Sequence, residues 1–386
     1  MPERPEVEGD IPRPKPMRIL IIHNEARYFA GAEKVLGYYL EGWPARGEEV
    51  AAALVPDARV LEVIPPSVRR IWIPEKQQFS ILKLCRQATA LLRARRDYPF
   101  DLVHGWTARD WELTSLVGWL SRRPALGTLH DHPRSRFISP TRQRLMRGCG
   151  RLGLSRVICV SDAVRRACLA AGYDERNLMV IHNGLPYRVT TRLPRSEAPW
   201  RLGFLGAFSE RKGLRTLFTI IDHLARQTDQ PWELHLAGEA QDVDGRQLMD
   251  QLGRQFGAAS WWAEVHWHGW VKEPHRFLTA LDLLVVPSSE FDPLPTVLLE
   301  AAQTGVAVFA ANVGGVGEIV LDGETGLLFD PGDPATAATR LARLLKEPET
   351  CRKMASGAAL RARREFEVGK MVAEYLKLYS TLTPHV

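Results

Sequence analysis

The chain has 386 residues, of which 45% are hydrophobic and 25% are charged, as in a globular protein. This length predicts two domains of about 150–200 residues each. No apolar run approaches the roughly 18 residues of a membrane-spanning helix, and the first residues lack the apolar core of a signal peptide. The five cysteines show no CxxC spacing, which argues against a disulfide framework and a zinc site. We therefore expect a cytoplasmic protein with reduced thiols.

The charge is unevenly distributed along the chain. The net charge is +6, but residues 1–190 contain 30 Lys and Arg against 20 Asp and Glu, a balance of +10 that leaves −4 for the remainder. A basic first half attracts an anionic partner. No basic run is interleaved with aromatic residues as in a nucleic-acid-binding motif, so nucleic acid is disfavoured.

The first half predicts a disordered tail followed by an α/β domain. Residues 1–16 mix prolines with charges, which is typical of disorder. A strand from Met17 to Ile22, a loop containing Gly31 and a helical pattern through Leu40 form the opening unit of a doubly wound sheet. Within a domain at 17–195, we predict a helix over 80–96, from its apolar spacing at i, i+3 and i+4, and further strands at 49–54, 102–104, 126–129, 157–160 and 179–181.

The second half repeats this plan. In a domain at 196–366, predicted strands lie at 200–205, 232–237, 265–268, 283–286, 306–310 and 326–329, and predicted helices at 214–227, 247–255, 274–280 and 296–304. Alternating strands and helices imply parallel sheets covered on both faces. We therefore predict two Rossmann-like domains that face a central cleft, a linker near 193–198 and a helical region from Pro334.

An acidic pair follows a predicted buried strand of the second domain. Asp292 lies in the turn after the strand at 283–286, and Glu300 lies a little over one turn into the helix that begins near Thr296. The free N–H groups at the start of a helix bind phosphate, and carboxylates beside a phosphate site suit sugar hydroxyls. We therefore assign a sugar nucleotide to the turn formed by Leu294, Pro295, Thr296 and Val297. The alternative is an incidental acidic turn.

A basic loop follows the first strand of the second domain. The loop from Leu205 to Gly213 contains Arg211 and Lys212, and it lies at the carboxyl end of a strand, where open α/β sheets bind ligands. Two fixed cations there would neutralise a diphosphate without a metal. Most such cations are simply solvated. The two aspartates at 242 and 244 are interpreted as a solvated turn rather than a metal-binding DxD element.

Three further positions are candidates for ligand contact. His130 ends the predicted strand at 126–129, although a histidine there is often only a structural hydrogen bonder. Gly31 allows the backbone to approach a ligand closely, or simply serves a tight turn. Trp270 and Val271 follow a strand beside the acidic pair, where a tryptophan could equally cover the domain edge.

One segment of the first domain is both basic and apolar. A short helix beginning at Ser139 and Pro140 carries arginines at 142, 144, 147 and 151 beside leucines at 145 and 152. Such a segment suits contact with anionic lipid. The alternative is a packed helix with a solvated face.

Together these segments resemble the retaining glycosyltransferases of family 4 (group 1), which have the GT-B fold, over nearly the whole chain. The resemblance implies that Asp292 contacts the donor sugar, that Glu300 contacts the ribose and that Lys212 and Arg211 hold the diphosphate. It also implies that His130 lies near the donor sugar.

The resemblance extends to the nucleotide and to the end of the chain. It places Gly31 beside the diphosphate, puts the main chain of Trp270 and Val271 on the base, and predicts that residues 367–386 form a helix crossing back to the first domain. Departures from the family pattern are Ala207 in place of an arginine, Asp292 in place of glutamate and Pro295 in place of glycine.

The expected function is hexosyl transfer from a UDP- or GDP-linked sugar to an acceptor hydroxyl, without cofactor or metal, in glycan or glycolipid synthesis. The expected catalytic residues are His130, Lys212 and Asp292. The expected acceptor is lipid-linked, with peripheral contact at the anionic inner face of a membrane. Two alternatives remain open: a nucleotide-sugar epimerase with the same fold and a non-catalytic nucleotide-sugar-binding protein. A dehydrogenase is disfavoured because Gly31 is not part of a G-x-G-x-x-G sequence.

Overall fold

The structure is a computed structural model that describes residues 16–25, 29–43, 48–56, 58–74, 80–135, 138–187 and 199–384. The predicted tail, except for Pro16, and the predicted linker lie outside these residues. The described residues form two parallel sheets with helices on both faces, which confirms the predicted α/β fold of two Rossmann-like units.

The first sheet has seven strands in the order β3-β2-β1-β4-β5-β6-β7. Its strands are β1 Arg18–His23, β2 Glu49–Leu54, β3 Arg69–Trp72, β4 Leu102–Gly105, β5 Ala125–Leu129, β6 Arg156–Cys159 and β7 Leu178–Val180. The helices of this half are α1 Gly31–Glu41, α2 Ile81–Ala94, α3 Trp111–Ser121, α4 Pro140–Gly148 and α5 Asp162–Ala170. Residues 19–22 of β1 are fully buried, as expected of a strand that is covered on both faces.

The second sheet has six strands in the order β10-β9-β8-β11-β12-β13. Its strands are β8 Trp200–Leu205, β9 Trp232–Ala237, β10 Val265–Gly269, β11 Leu283–Val286, β12 Ala307–Ala311 and β13 Leu327–Phe329. The remaining helices are α6 Leu214–Ala225, α7 Val243–Phe256, α8 Pro274–Thr279, α9 Thr296–Thr304, α10 Val316–Ile319, α11 Pro334–Leu344, α12 Pro348–Glu365 and α13 Val368–Leu382.

Three sequence expectations need correction. The edge strand β3 went unrecognised, because its sequence is half arginine and only its neighbour β2 pairs with it. Asp242 and Asp244 are exposed as predicted but belong to α7 rather than to a turn: the side chain of Asp242 caps the helix by accepting from Gly245 N at 2.7 Å, and Asp244 lies in its first turn. In α2, Ile81 and Cys85 are exposed rather than buried on the predicted apolar stripe.

The last helix, α13, packs on the first sheet although it follows the second sheet in the chain. The hydroxyl of Tyr379 lies 2.7 Å from that of Tyr39 and 2.6 Å from His104 Nδ1. Tyr375 bonds Thr128 on β5 at 3.1 Å. All these groups are buried, and buried polar groups that satisfy one another stabilise a specific arrangement. The contact ties the end of the chain to the first half.

A second contact joins the halves directly. Glu318 on α10 accepts from the backbone N–H groups of Asp162 and Ala163 at 2.8 and 2.7 Å, at the start of α5. Its carboxylate also lies 2.9 Å from His182 Nε2. A carboxylate is stabilising at a helix N-terminus because it complements the free N–H groups and the helix dipole. The second half thereby caps a helix of the first.

Among the described residues, no helix combines the length and the apolar character needed to cross a membrane.

Candidate functional site

The acidic pair lies where the two halves meet. As predicted, α9 begins at Thr296 after the loop that leaves β11, with Pro295 as its N-cap residue. Asp292 lies in that loop, and Glu300 lies in the second turn of α9. Pro295 has no N–H to offer, so the first donors of this helix come from the residues after it. The start of α9 therefore carries free N–H donors and has an acid on either side.

Asp292 is paired with Lys212. The side-chain oxygen of Asp292 lies 2.7 Å from Lys212 Nζ and accepts from Ser288 Oγ at 3.1 Å. Burial alone would raise the pKa of this carboxyl, but the Lys212 ammonium, with Arg211 and Ser288, outweighs burial and holds the pKa below its ordinary value. The structure thus brings together the predicted phosphate-binding lysine and the predicted sugar-binding acid.

Gly213 explains how Lys212 reaches this position. Its φ is +75°, and a Cβ there would lie 1.6 Å from the carbonyl oxygen of Pro287. Only glycine fits this left-handed turn at the start of α6. The turn also lets Ser289 N donate to the Arg211 carbonyl at 3.1 Å. The loop after β8 is therefore fastened to the loop after β11, and Lys212 is held by both.

Glu300 is paired with Lys34, a residue that the sequence analysis missed. Glu300 Oε1 lies 3.7 Å from Lys34 Nζ on α1 of the first half. Burial raises the pKa of Glu300, and Lys34 only partly opposes that effect. Lys34 lies in the segment that contains Gly31, but its partner is distant in sequence, so no local pattern indicated the pair.

Gly31 lies against the start of α9. A Cβ at Gly31 would lie 3.1 Å from Thr296 Oγ1, so the first turn of α1 and the first turn of α9 nearly touch. A larger residue at position 31 would force Thr296 to move. The backbone at Gly31 thus comes close to the start of α9, and it does so from the opposite half of the molecule.

His130 is half-buried just after β5, beside the ring of Trp106 at 5.2 Å between centroids. Within the described part of the chain, neither of its ring nitrogens makes a hydrogen bond of good geometry. Burial, helped by His23, lowers the pKa of His130 to about 3, so its imidazole is neutral at physiological pH. The neighbouring His132 contacts Phe291, the residue before Asp292, at 4.9 Å between ring centroids. The end of β5 therefore borders the acidic loop.

A buried polar cluster lies beneath the Gly31 loop and was also missed. His23 Nε2 lies 3.6 Å from Glu33 Oε1, and His23 Nδ1 lies 3.8 Å from Asp110 Oδ2. Burial opposes protonation of His23, but Asp110 and Glu33 outweigh it and raise its pKa. Glu33 also accepts from Ala30 N at 2.7 Å. Through this hydrogen bond the cluster fixes the segment that carries Gly31.

Trp270 and Val271 follow β10, which is an edge strand separated from β11 by β9 and β8, so the expectation that they follow a strand beside the acidic pair is wrong. Trp270 is exposed over 52% of its surface, and Val271 is half-buried. A β-bulge interrupts the pairing of β10 with β9 between Trp267 and Gly269. This placement fits contact with a nucleotide base and fits cover of a domain edge equally well.

Comparison with known proteins identifies the two halves. Residues 29–187 match the family model described as Glycosyltransferase Family 4, and residues 191–361 match the model described as Glycosyl transferases group 1. A phosphatidyl-myo-inositol mannosyltransferase of Mycobacterium leprae is 26% identical over 88% of this chain and 89% of its own. A glycogen synthase of Mycobacterium tuberculosis is 28% identical over 68% of this chain and 67% of its own.

Solved structures show the same fold. Anabaena Alr3699/HepE, whose crystal structure is a complex with UDP and glucose, superposes with a TM-score of 0.80 at 22% identity, over 95% of this chain and 100% of that one. A sucrose-phosphate synthase from Thermosynechococcus elongatus superposes with a TM-score of 0.77 at 21% identity, over 96% and 100% of the two chains. The two family models together span most of the chain, which belongs to the family 4 (group 1) glycosyltransferases with the GT-B fold.

Proposed function

We propose that this chain moves a hexosyl group from a nucleoside diphosphate sugar to an acceptor hydroxyl, with retention of configuration at the anomeric carbon. The observation that carries the proposal is the convergence of the Lys212–Asp292 pair, the start of α9 and Gly31 at one place between the halves. A fixed cation, free N–H donors and a close backbone approach are what a diphosphate requires. The HepE crystal structures with UDP and with UDP-glucose show that a relative of this fold binds such a donor.

In the proposed complex, the diphosphate lies between the start of α9 and the loop that carries Arg211 and Lys212. Lys212 then contacts the phosphate as well as Asp292. The carboxylate of Asp292 accepts a hydrogen bond from a sugar hydroxyl. Glu300 accepts from the ribose hydroxyls in place of Lys34. We propose that His130 bonds the donor sugar, since its imidazole is neutral and its two buried ring nitrogens make no hydrogen bond of good geometry to the described residues.

The proposed reaction breaks the bond between the anomeric carbon and the leaving phosphate oxygen. The acceptor oxygen bonds to that carbon on the same face, and the proton of the acceptor hydroxyl passes to the leaving phosphate. Negative charge develops on the phosphate as the bond breaks. Lys212, Arg211 and the N-terminus of α9 neutralise that charge, and the site is preorganised because the Asp292 pair and Gly213 hold Lys212. We therefore propose that transfer needs no metal ion.

We further propose that the first half binds an acceptor at an anionic membrane surface on the cytoplasmic side. The end of α3 exposes Trp119 over 77% and Leu120 over 45% of their surfaces, and Leu152, just beyond α4, is 92% exposed. Gly153 packs closely on Ser115 of α3, so the two exposed apolar segments are neighbours. Arginines at 122, 144 and 151 accompany them. Apolar side chains with basic neighbours suit the interface of an anionic bilayer.

Donor binding tests the proposal first. The purified chain should be titrated with UDP-glucose, UDP-N-acetylglucosamine and GDP-mannose, and its melting temperature followed. A ligand that binds only the native state raises this temperature. We expect one of these donors, and its free nucleoside diphosphate, to raise the melting temperature. Lys212→Ala should reduce this rise. If none of the donors raised the melting temperature, the assignment of the cleft would be wrong.

A further inference from the structure

Three histidines and a glutamate lie together at the edge of the second sheet, outside the acidic and basic loops assigned to the donor. Glu233 and His235 are alternate residues of β9, so they point to the same face. His235 pairs with His266 on the edge strand β10, which places the two side chains side by side. Their rings stack at 4.8 Å between centroids. The other face of these strands belongs to the apolar core, through Leu234 and Val265.

The ligand atoms of this cluster lie close enough together to bind a metal ion after a small side-chain movement. One ligand atom from each of Glu233, His235 and His266 lies within 4.8 Å of the others. Ligands of a tetrahedral zinc ion, bound at about 2.0–2.1 Å, are separated by roughly 3.4 Å. Closing a separation of 4.8 Å to that spacing takes a movement of about 1.4 Å, and the side chain of His266 is exposed.

His268 lies within hydrogen-bonding distance of His235 and can fix the orientation of its ring. His235 Nε2 faces Glu233 Oε2 at 3.1 Å, and the other ring nitrogen, Nδ1, lies 3.0 Å from His268 Nε2. A histidine that binds metal through one nitrogen is oriented by a hydrogen bond at the other. The ring of Phe277 on α8 packs against His268 at 5.3 Å, so this outer partner is itself held in place.

One neighbour of the cluster, Arg201, is itself a cation. Arg201 Nε lies 3.8 Å from Glu233 Oε2, which leaves the second carboxylate oxygen for a ligand.

We propose that Glu233, His235 and His266 bind a divalent transition-metal ion of the zinc type, with His268 as the partner that orients His235. Imidazole and carboxylate ligands suit such an ion, and the exposed side of the cluster leaves its fourth position to water. The ion would fasten the edge strand β10 to β9, just before Trp270. The cysteine spacing did not indicate this site, because its ligands come from two strands and none is a cysteine.

Zinc binding to the full chain, purified without a histidine tag, tests this proposal. Calorimetric titration with Zn²⁺ should give one bound equivalent, and Mg²⁺ should give none, because it prefers oxygen ligands. We expect His266→Ala to weaken zinc binding by at least about 10-fold, the lower end of the loss that follows removal of an outer partner. His268→Ala should weaken it by about 10–100-fold. His223→Ala, which removes a histidine of α6 outside the cluster, should bind zinc as the wild type does.

X-ray absorption of the zinc-loaded protein gives an independent readout. We expect only nitrogen and oxygen ligands, at about 2.0–2.1 Å. A sulfur ligand at about 2.3 Å, no zinc uptake by the wild type, or unchanged zinc affinity in His266→Ala would each overturn the proposal. Because none of these measurements uses a nucleotide sugar, their outcome is independent of the proposed transferase reaction.

Discussion

Lys34 Nζ lies 3.7 Å from Glu300 Oε1, so a helix of the first half and the helix that follows the acidic loop of the second are joined by an ion pair. Glu300 is the residue proposed to bind the ribose. The pair therefore competes with the nucleotide, and donor binding must break it or share it. In the unliganded chain it also helps to hold the two halves together.

Lys34→Ala should raise the affinity for free nucleoside diphosphate, because the competing partner of Glu300 is removed. A partly exposed ion pair contributes about 0.2–1 kcal/mol, which corresponds to an increase of up to about fivefold. Calorimetry measures this change in affinity. The matched control is Lys346→Ala, at an exposed lysine beyond α11. A marked loss of affinity would instead show that Lys34 contacts the nucleotide.

Neutralising Asp292 should lower the stability of the protein at pH 7, whereas neutralising Glu300 should raise it. The pKa of Asp292 is lowered, so its charge stabilises the fold at any pH above the unfolded value near 3.8, and that stabilisation is lost as the pH falls through the folded pKa. Asp292→Asn should therefore destabilise the protein at pH 7, by about 1–3 kcal/mol for a buried partner left unsatisfied. The difference in stability between Asp292→Asn and the wild type should shrink as the pH falls.

For Glu300 the dependence of stability on pH has the opposite sign. Its pKa is raised, so the associated stability is fully present below the unfolded value near 4.5 and is lost as the pH rises through the folded pKa. Glu300→Gln should then be more stable than the wild type at pH 7 and equal to it below about pH 4. Urea denaturation at several pH values measures both variants. The opposite ordering at pH 7 would contradict the assigned pKa shifts.

The same variants separate two binding roles. Glu300→Gln should weaken binding of the free nucleoside diphosphate, because an amide has one acceptor oxygen where a carboxylate has two. Asp292→Asn should bind the nucleotide nearly as before and lose discrimination between donor sugars. Calorimetry with the free nucleotide and with intact donors tests this division. Equal loss of nucleotide affinity in both variants would refute it.

Lys212→Ala should reduce turnover, and it should also lower stability because the buried carboxylate of Asp292 loses its cation. The lysine is held against the proposed phosphate position, and removal of one preorganised charge-stabilising group typically costs about 10²–10³ in kcat. Steady-state kinetics with the best donor measures the loss, again with Lys346→Ala as control. Wild-type kcat and kcat/KM in the variant would show that Lys212 does not stabilise the leaving phosphate.

Membrane contact predicts a response to salt and to surface substitutions. Co-sedimentation with anionic vesicles should weaken from 0.1 M to 1 M salt, as the screening length falls from about 10 Å to about 3 Å. The double variant Trp119→Ser with Leu152→Ser should bind more weakly. Leu360→Ser, at a position that is 71% exposed on α12, should behave as the wild type. Absence of binding at low salt, together with an acceptor KM that is independent of salt, would exclude this surface as a membrane contact.

The sequence predicted the sheets well because their strands are buried on both faces and appear as apolar runs. The start of α9 at Thr296 was predicted correctly for a similar reason, since a turn rich in proline precedes an apolar helix. β3 lacked that signal because it is a charged edge strand. Lys34 and the histidines of the second sheet were missed because their partners are set by pairing between distant segments, which no local pattern contains.

The most direct test of the proposed function is the fate of the donor. The chain should be incubated with each nucleotide sugar, with and without a panel of hydroxyl acceptors that includes phosphatidylinositol, oligosaccharides and polyols, and the mixture followed by NMR. We predict release of the nucleoside diphosphate that depends on the acceptor, together with a product that keeps the anomeric configuration of the donor. An epimerised donor, or nucleotide release at the same rate without acceptor, would contradict the transfer reaction. Donor binding without turnover under any of these conditions would instead identify a non-catalytic nucleotide-sugar-binding protein.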